Sequence, residues 1–196
     1  MTGSEEALWR GYVRPVPRPP RPDFENALHH VFDRGNRKQT IFEDAVDYEC
    51  FLYLVGRAVK RFKWHVQDYC LMSNHYHLVI RTPEGGLSRG MQLVNGRYAQ
   101  WFNDGRRLSG HLFQGRFGSK LVESLAHRLE LARYVPRNPV EAELCNDPAK
   151  WRWSAYGALS LNRAPRWLAH GETLELFGEP PSAAAERYAK YVSEGR

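Results

Sequence analysis

The chain of 196 residues contains no apolar run long enough to cross a bilayer, no internal repeat and only three cysteines. The first absence argues against membrane-spanning helices, which need about 20 consecutive apolar residues. Cys50, Cys70 and Cys145 are far apart, odd in number and form no Cys-x-x-Cys pair. They supply neither a disulfide framework nor a cysteine zinc site, which suits a reducing compartment. No charged-then-apolar leader opens the sequence, so a cytoplasmic protein is expected. Acidic residues are the scarcer charge: 22 Asp and Glu against 28 Lys and Arg leave a net +6. That balance favours an anionic partner, nucleic acid before a membrane.

The length accommodates one principal domain with appendages. Residues 1–26 read as a basic arm, because Arg14 to Pro22 intersperses proline with arginine and cannot sustain helix or sheet hydrogen bonds. Residues 27–146 carry the patterned elements. Leu28–Phe32 reads as a strand running into Arg34-Gly35-Asn36-Arg37-Lys38. That segment is either a phosphate cradle, with cations around backbone amides left free by the turn, or an ordinary charged turn.

From Asp44 to Phe62, Tyr48, Phe51, Leu52, Val55, Val59 and Phe62 recur at helical spacing and predict a first amphipathic helix. Trp64–Met72 reads as a strand, hairpinned through Ser73-Asn74 to the run His75-Tyr76-His77-Leu78-Val79-Ile80. Side chains at i and i+2 of a strand leave by one face, so His75 and His77 present two imidazoles side by side. Such a pair is half a metal site and needs a third ligand from elsewhere.

A second helix is expected from Leu87 to about Asn103, with Met91, Val94, Tyr98, Trp101 and Phe102 on its apolar face and Arg97 off it. The loop from Arg106 to Phe117 mixes Arg106, Arg107 and Arg116 with Phe113 and Phe117. It can pair guanidinium with phosphate and stack bases, or its phenylalanines can anchor it to the core. Gly118–Glu123 reads as a last strand, and Ser124 caps a third helix that buries Leu125, Leu129 and Ala132. Tyr134 and Asn138 share another side of that helix, which is expected to end around Asn138-Pro139. Residues 147–196 form a helical extension whose Trp151 and Trp153 read as packing anchors.

The order strand, helix, strand, strand, helix, strand, helix predicts an α+β, ferredoxin-like split βαβ domain with an antiparallel sheet. On that scaffold the helix bearing Tyr134 can lie against the His-x-His strand, giving a tyrosine aimed at a phosphodiester beside a His-His-Asn site. Tyr98 is the competing nucleophile, but its phase on the second helix reads as core.

The stretch from Leu28 to Tyr156 also carries a resemblance. Its pieces are His30-Val31 with Arg34–Arg37, Leu71–Leu78, Leu87–Met91, Asn95–Tyr98, Gly110–Phe117, Arg133-Tyr134 with Asn138–Val140, and Trp151–Tyr156. In that order they resemble the HUH-type single-tyrosine transposases, within them the REP-associated branch. The resemblance implies an HUH endonuclease fold, with His75, His77 and Asn138 as metal ligands for Mg²⁺ or Mn²⁺ and Tyr134 as nucleophile. Its expected substrate is single-stranded or hairpin DNA, cut through a 5′-phosphotyrosine, with no membrane partner. The family usually has helix-compatible residues between tyrosine and asparagine. Here the run is Tyr134-Val-Pro-Arg-Asn138, and Pro136 is expected to kink or end the helix, displacing Asn138 and leaving Glu130 or water to complete the coordination.

Overall fold

Residues 24–194 are described in a computed structural model of the chain, so the basic stretch 14–22 lies outside the described residues. Strand β1 (Ala27–Arg34) is followed by helix α1 (Ala45–Phe62), the hairpin β2 (His65–Leu71) and β3 (His75–Thr82), and helix α2 (Leu87–Arg106). Strand β4 (Gly118–Leu121) and helix α3 (Leu125–Glu141) complete the patterned region. The sheet order is β2-β3-β1-β4, and every neighbouring pair is antiparallel. This is the split βαβ arrangement expected from the sequence.

Period-2 alternation divides the sheet. Val31, Tyr76, Leu78 and Ile80 point to one face, where Phe51 and Val55 of α1 and Met91, Val94 and Tyr98 of α2 close the main core. Leu28, Cys70 and Val79 point to the other, where α3 covers them with Leu131 and Val135. The histidines of β3 alternate with Tyr76 and Leu78, so they share the α3 face.

Local chemistry fixes the helix ends. Asp44 caps α1 by accepting from the amides of Val46 and Asp47, and Asp47 returns a bond to the Asp44 amide. The helix stops where Lys63 turns left-handed at φ 53°. Gly90 of α2 lies against the Trp64 ring, 2.0 Å from where a Cβ would meet it, so α2 seats on the core only without a side chain there. Tyr98 is fully buried and donates to the Ile41 carbonyl, so it is the core tyrosine its phase predicted.

Two expectations need correction here. Helix α2 continues past Asn103 to Arg106. The stripe of α3 is shifted: Leu131, Ala132, Val135 and Asn138 are buried, whereas Leu125 in the first turn is 61% exposed.

The extension supplies helices α4 (Ala155–Ser160), α5 (Gly171–Leu174) and α6 (Pro181–Ser193). It covers the free edge of β2. The Leu71 amide donates to the Trp153 carbonyl at 2.9 Å and the Ala169 amide to the Val66 carbonyl at 2.8 Å, protecting an edge that would otherwise invite foreign strands. Trp151 donates from Nε1 to the Leu71 carbonyl, and Trp153 stacks on Tyr48 at 4.3 Å, so both tryptophans are the anchors expected.

Candidate functional site

The α3 face of the sheet brings together three histidines. His75 and His77 leave β3 two residues apart, with ring centroids 5.1 Å apart and perpendicular. His30 comes from the adjoining strand β1 and stacks on His77 at 5.1 Å. Its Nε2 lies 2.9 Å from His77 Nδ1. His75 Nδ1 lies 2.7 Å from the side-chain oxygen of Asn74. Each ring of the pair is therefore tied at Nδ1, and His77 Nε2 is buried without a hydrogen-bond partner.

Helix α3 crosses above with Tyr134 and Asn138. The Tyr134 ring stands edge-on to His77 at 5.3 Å and to His30 at 6.1 Å, and it is 38% exposed toward a cavity of about 450 Å³. That cavity is also lined by Arg34, His75, Gln114 and Arg116, and its floor is Phe32, whose ring lies over Gly118. Asn138 is buried, and its Nδ2 donates to the Tyr134 carbonyl at 2.7 Å and approaches the Val135 carbonyl at 3.4 Å. Because carbonyls only accept, the amide nitrogen must face the helix and the amide oxygen must leave it. The Asn138 side chain is within hydrogen-bonding reach of both His75 and Tyr134.

The expected break at Pro136 does not occur. Pro136 and Pro139 both lie inside α3, yet the helix runs to Glu141 and Asn138 keeps its place one turn beyond Tyr134. Pro139 cannot donate to the Val135 carbonyl, and the Asn138 side chain approaches that carbonyl instead. Pro136 is itself buried in the packed face, so tertiary packing overrides its local preference.

The electrostatics suit neutral imidazoles. Burial pushes the His75 pKa down to about 4, aided by the Arg34 charge and opposed by the bond to Asn138. Burial, then Lys120 and His127, lower His30 to about 4. His77 is pushed well below its usual value by burial, then by His30, His75 and Arg34. All three rings are uncharged at neutral pH, the form that metal ligation needs. The Tyr134 phenol is raised by burial, against a lowering bond from Asn138, so it is protonated at rest. Among the described residues no group of three or more His, Cys, Asp or Glu is placed to hold an ion. The amide oxygen of Asn138 is a further donor atom beside the two imidazoles.

The remaining sequence-derived candidates divide. Arg34 and Arg116 line the cavity. Arg37 and Lys38 are exposed on the adjoining turn, beside the half-buried Asn36. Most of the amides of the turn are already engaged, however, because those of Gly35, Asn36 and Lys38 all donate to protein carbonyls. Arg106 is committed elsewhere: it forms ion pairs with Asp47 at 2.8 Å and Glu43 at 2.9 Å, locking α2 to the start of α1. Phe113 is buried against Tyr76 and Tyr98 and is an anchor, not a stacking platform. Arg107 is exposed at the C-terminal end of α2. Arg97 lines a separate basic cavity with Arg61 and Arg89 on the α1/α2 side of the sheet.

Sequence reasoning overlooked two features. His30 shares a face with Leu28 and Phe32 by period 2, but only the β1/β3 register makes it a neighbour of His77. Asp33 accepts from Asn95 at 2.8 Å, and Asn95 in turn accepts from the Tyr76 hydroxyl at 2.8 Å, a chain running under the site from the opposite face.

No curated protein sequence matches the chain. A solved structure of a REP-associated tyrosine transposase bound to a REP hairpin superposes with TM-score 0.60 at 14% identity, covering 76% of this chain and 89% of that one. A putative transposase from Deinococcus radiodurans R1 aligns with TM-score 0.43 at 13% identity, covering 60% of this chain and 95% of that one. The α+β fold expected from the sequence is thus the fold of the first of these proteins. The family model of IS200-like transposases matches residues 24–138, which hold the sheet, the three histidines, Tyr134 and Asn138. The chain belongs to the IS200-like transposase family.

Proposed function

We propose that this transposase cuts single-stranded DNA beside a hairpin by direct attack of Tyr134. The observation behind the reading is that α3, despite two prolines, holds Tyr134 edge-on to His77 and Asn138 within reach of His75, over a cavity that carries Arg34 and Arg116. The Tyr134 phenol gives up its proton, a bond forms between its oxygen and the phosphorus, and the bond from phosphorus to the 3′-oxygen breaks. The 3′-oxygen leaves as a hydroxyl, taking up a proton, and the 5′ end stays on the protein as a phosphotyrosine. The arginines neutralise the phosphate on which charge accumulates. Because the energy of the broken ester is retained in the new one, rejoining requires no external energy source.

The residues present fit a divalent ion. His77 offers a buried nitrogen with no protein partner. His75 is tied at Nδ1 to Asn74 and lies within hydrogen-bonding reach of Asn138, which directs its amide oxygen away from the helix, so both side chains converge as ligands of one ion would. When bound, Mg²⁺ or Mn²⁺ supplies Lewis-acid polarisation of the phosphate. Two imidazoles and an amide suit Mn²⁺ better than Mg²⁺, which prefers oxygen donors. The hairpin preference is supported by the REP hairpin bound to the superposing transposase. No helix among the described residues is long and apolar enough to cross a membrane, and a cytoplasmic site of action accords with a DNA substrate.

The test is incubation with hairpin DNA carrying single-stranded flanks, with Mn²⁺, followed by denaturing electrophoresis. A denaturation-resistant protein–DNA adduct is expected from the parent protein. Tyr134→Phe, which keeps the ring but deletes the attacking oxygen, should lose cutting and adduct together while DNA binding persists. Cutting without an adduct would instead indicate a phosphodiesterase that uses water, and binding without cutting a hairpin-binding protein.

A further inference from the structure

His30 belongs to none of the roles assigned so far, yet it is among the most constrained side chains near the site. It is 7% exposed, as is His77, and its Nε2 lies 2.9 Å from His77 Nδ1 across 47 residues of sequence. The register explains the meeting. His30 pairs with Val79 and Phe32 with His77, so the two histidines are diagonal neighbours on one face of an antiparallel ladder. The rings then stack at 26°.

A neutral imidazole carries one proton. If His77 held it on Nε2, that buried N–H would have no acceptor, since Nε2 has no protein partner. An orphaned buried donor is costly. If it is held on Nδ1, that N–H donates to His30 Nε2 and the Nε2 lone pair is bare toward the site. His75 has the same arrangement through a neighbour in sequence, with Asn74 tying its Nδ1. His77 is preceded by Tyr76, which points to the other face, so its partner has to come from another strand.

We propose that His30 is a positioning residue that accepts the Nδ1 proton of His77 and thereby holds that ring in the tautomer and orientation that present Nε2 for a divalent cation. The inference rests on the reading of His77 as a ligand. Partners of this kind orient ligating histidines, and their loss ordinarily weakens metal affinity by about 10- to 100-fold.

Two substitutions separate this role from packing. His30→Leu keeps an apolar body of similar size but has no acceptor. His30→Gln keeps an acceptor oxygen at similar reach. In metal-free protein at neutral pH, ¹⁵N spectra of the histidine rings are expected to put the His77 proton on Nδ1 in the parent and in His30→Gln, and to show it moving toward Nε2 in His30→Leu. Calorimetry with Mn²⁺ alone should give about a 10- to 100-fold weaker site for His30→Leu and a site within a few-fold of the parent for His30→Gln. A parent spectrum with the proton on Nε2, or a folded His30→Leu protein that binds Mn²⁺ like the parent, would overturn the role. If His30→Leu fails to fold, the parent spectrum and the Gln variant decide. Undiminished Mn²⁺ binding by His77→Ala would overturn the metal reading itself, whereas the metal-free spectra test the hydrogen bond independently of it.

Discussion

At the scale of single residues, the site separates cations that face the cavity from cations that hold the fold, and the sequence could not make that distinction. Arg106 sits in an arginine-rich loop that looks made for phosphate, but its guanidinium pairs with Asp47, whose side chain is only 1% exposed. Removing one partner of such a pair leaves a buried charge uncompensated. Arg106→Ala is therefore expected to cost about 2 to 3 kcal/mol of stability, less than for a fully buried pair because the arginine is partly exposed. Its DNA affinity should change little, whereas Arg116→Ala should weaken DNA binding with an unchanged melting temperature. Thermal melts alongside DNA titrations of both variants check the contrast, and a reversed pattern would return Arg106 to the DNA. The sequence did make His75, His77, Tyr134 and Asn138 legible, because strand and helix periodicities alone put each pair on one face. His30 was not legible as a site residue, because its role depends on which strand lies beside β3.

At the scale of elements, α3 is where local and tertiary preferences conflict. Two prolines inside 17 residues argue for a break, yet the helix is continuous from Leu125 to Glu141. The packing of Leu131 and Val135 against the sheet and the burial of Pro136, with Asn138 approaching one freed carbonyl, offset the missing donors. Pattern reading found this helix and its start at Ser124, where the cap is explicit, but misjudged its end and its buried stripe. The stripe depends on where the helix crosses the sheet, which no periodicity encodes. Since Asn138 is not displaced, Pro136→Ala should leave DNA cutting within about two-fold of the parent. Stability should rise by on the order of 1 kcal/mol, because the helix-propensity gain of roughly 3 kcal/mol outweighs the lost ring packing. A large rise in activity would mean that the helix is bent in solution after all. On the other face, Gly90→Ala drives a methyl group into Trp64. It is expected to destabilise by about 2 kcal/mol or more, measured by denaturant melts.

At the scale of the whole molecule, the extension and the sheet are joined along β2, and the joint contains a carboxyl group that makes stability depend on pH. Asp68 is 2% exposed on β2; its Oδ1 accepts from the Tyr69 amide, and its Oδ2 has no protein partner. It shares a small cavity with Arg128 of α3 and Thr173 of α5, and its charge is felt by Cys70 and by Tyr188 of α6. Burial pushes its pKa up to about 8, opposed by the backbone bond. The folded protein therefore binds a proton at Asp68 that the unfolded chain has already lost, so this contribution is complete at acid pH and disappears as pH rises through about 8. His30 and His75 act with the opposite sign: their folded pKa values are depressed to about 4, so their contribution is lost only as pH falls from the unfolded value near 6.5. At pH 6.5 the unfolded histidines are still half protonated, so their effect fades only above about pH 7.5, and the Asp68 contribution is read as the difference between the parent and a variant that lacks the carboxyl. Relative to Asp68→Asn, the parent is expected to lose about 1.5 kcal/mol between about pH 6.5 and pH 8, because the histidine contributions are common to both proteins and cancel in the comparison. Asp68→Asn has no proton to lose and should keep only the rise that the histidines give at the lower end of the same interval. Denaturant melts of both proteins at half-unit pH steps decide the matter. A parent profile that runs parallel to that of the Asn variant would mean that Asp68 is ionised in the folded protein and that the joint tolerates its charge.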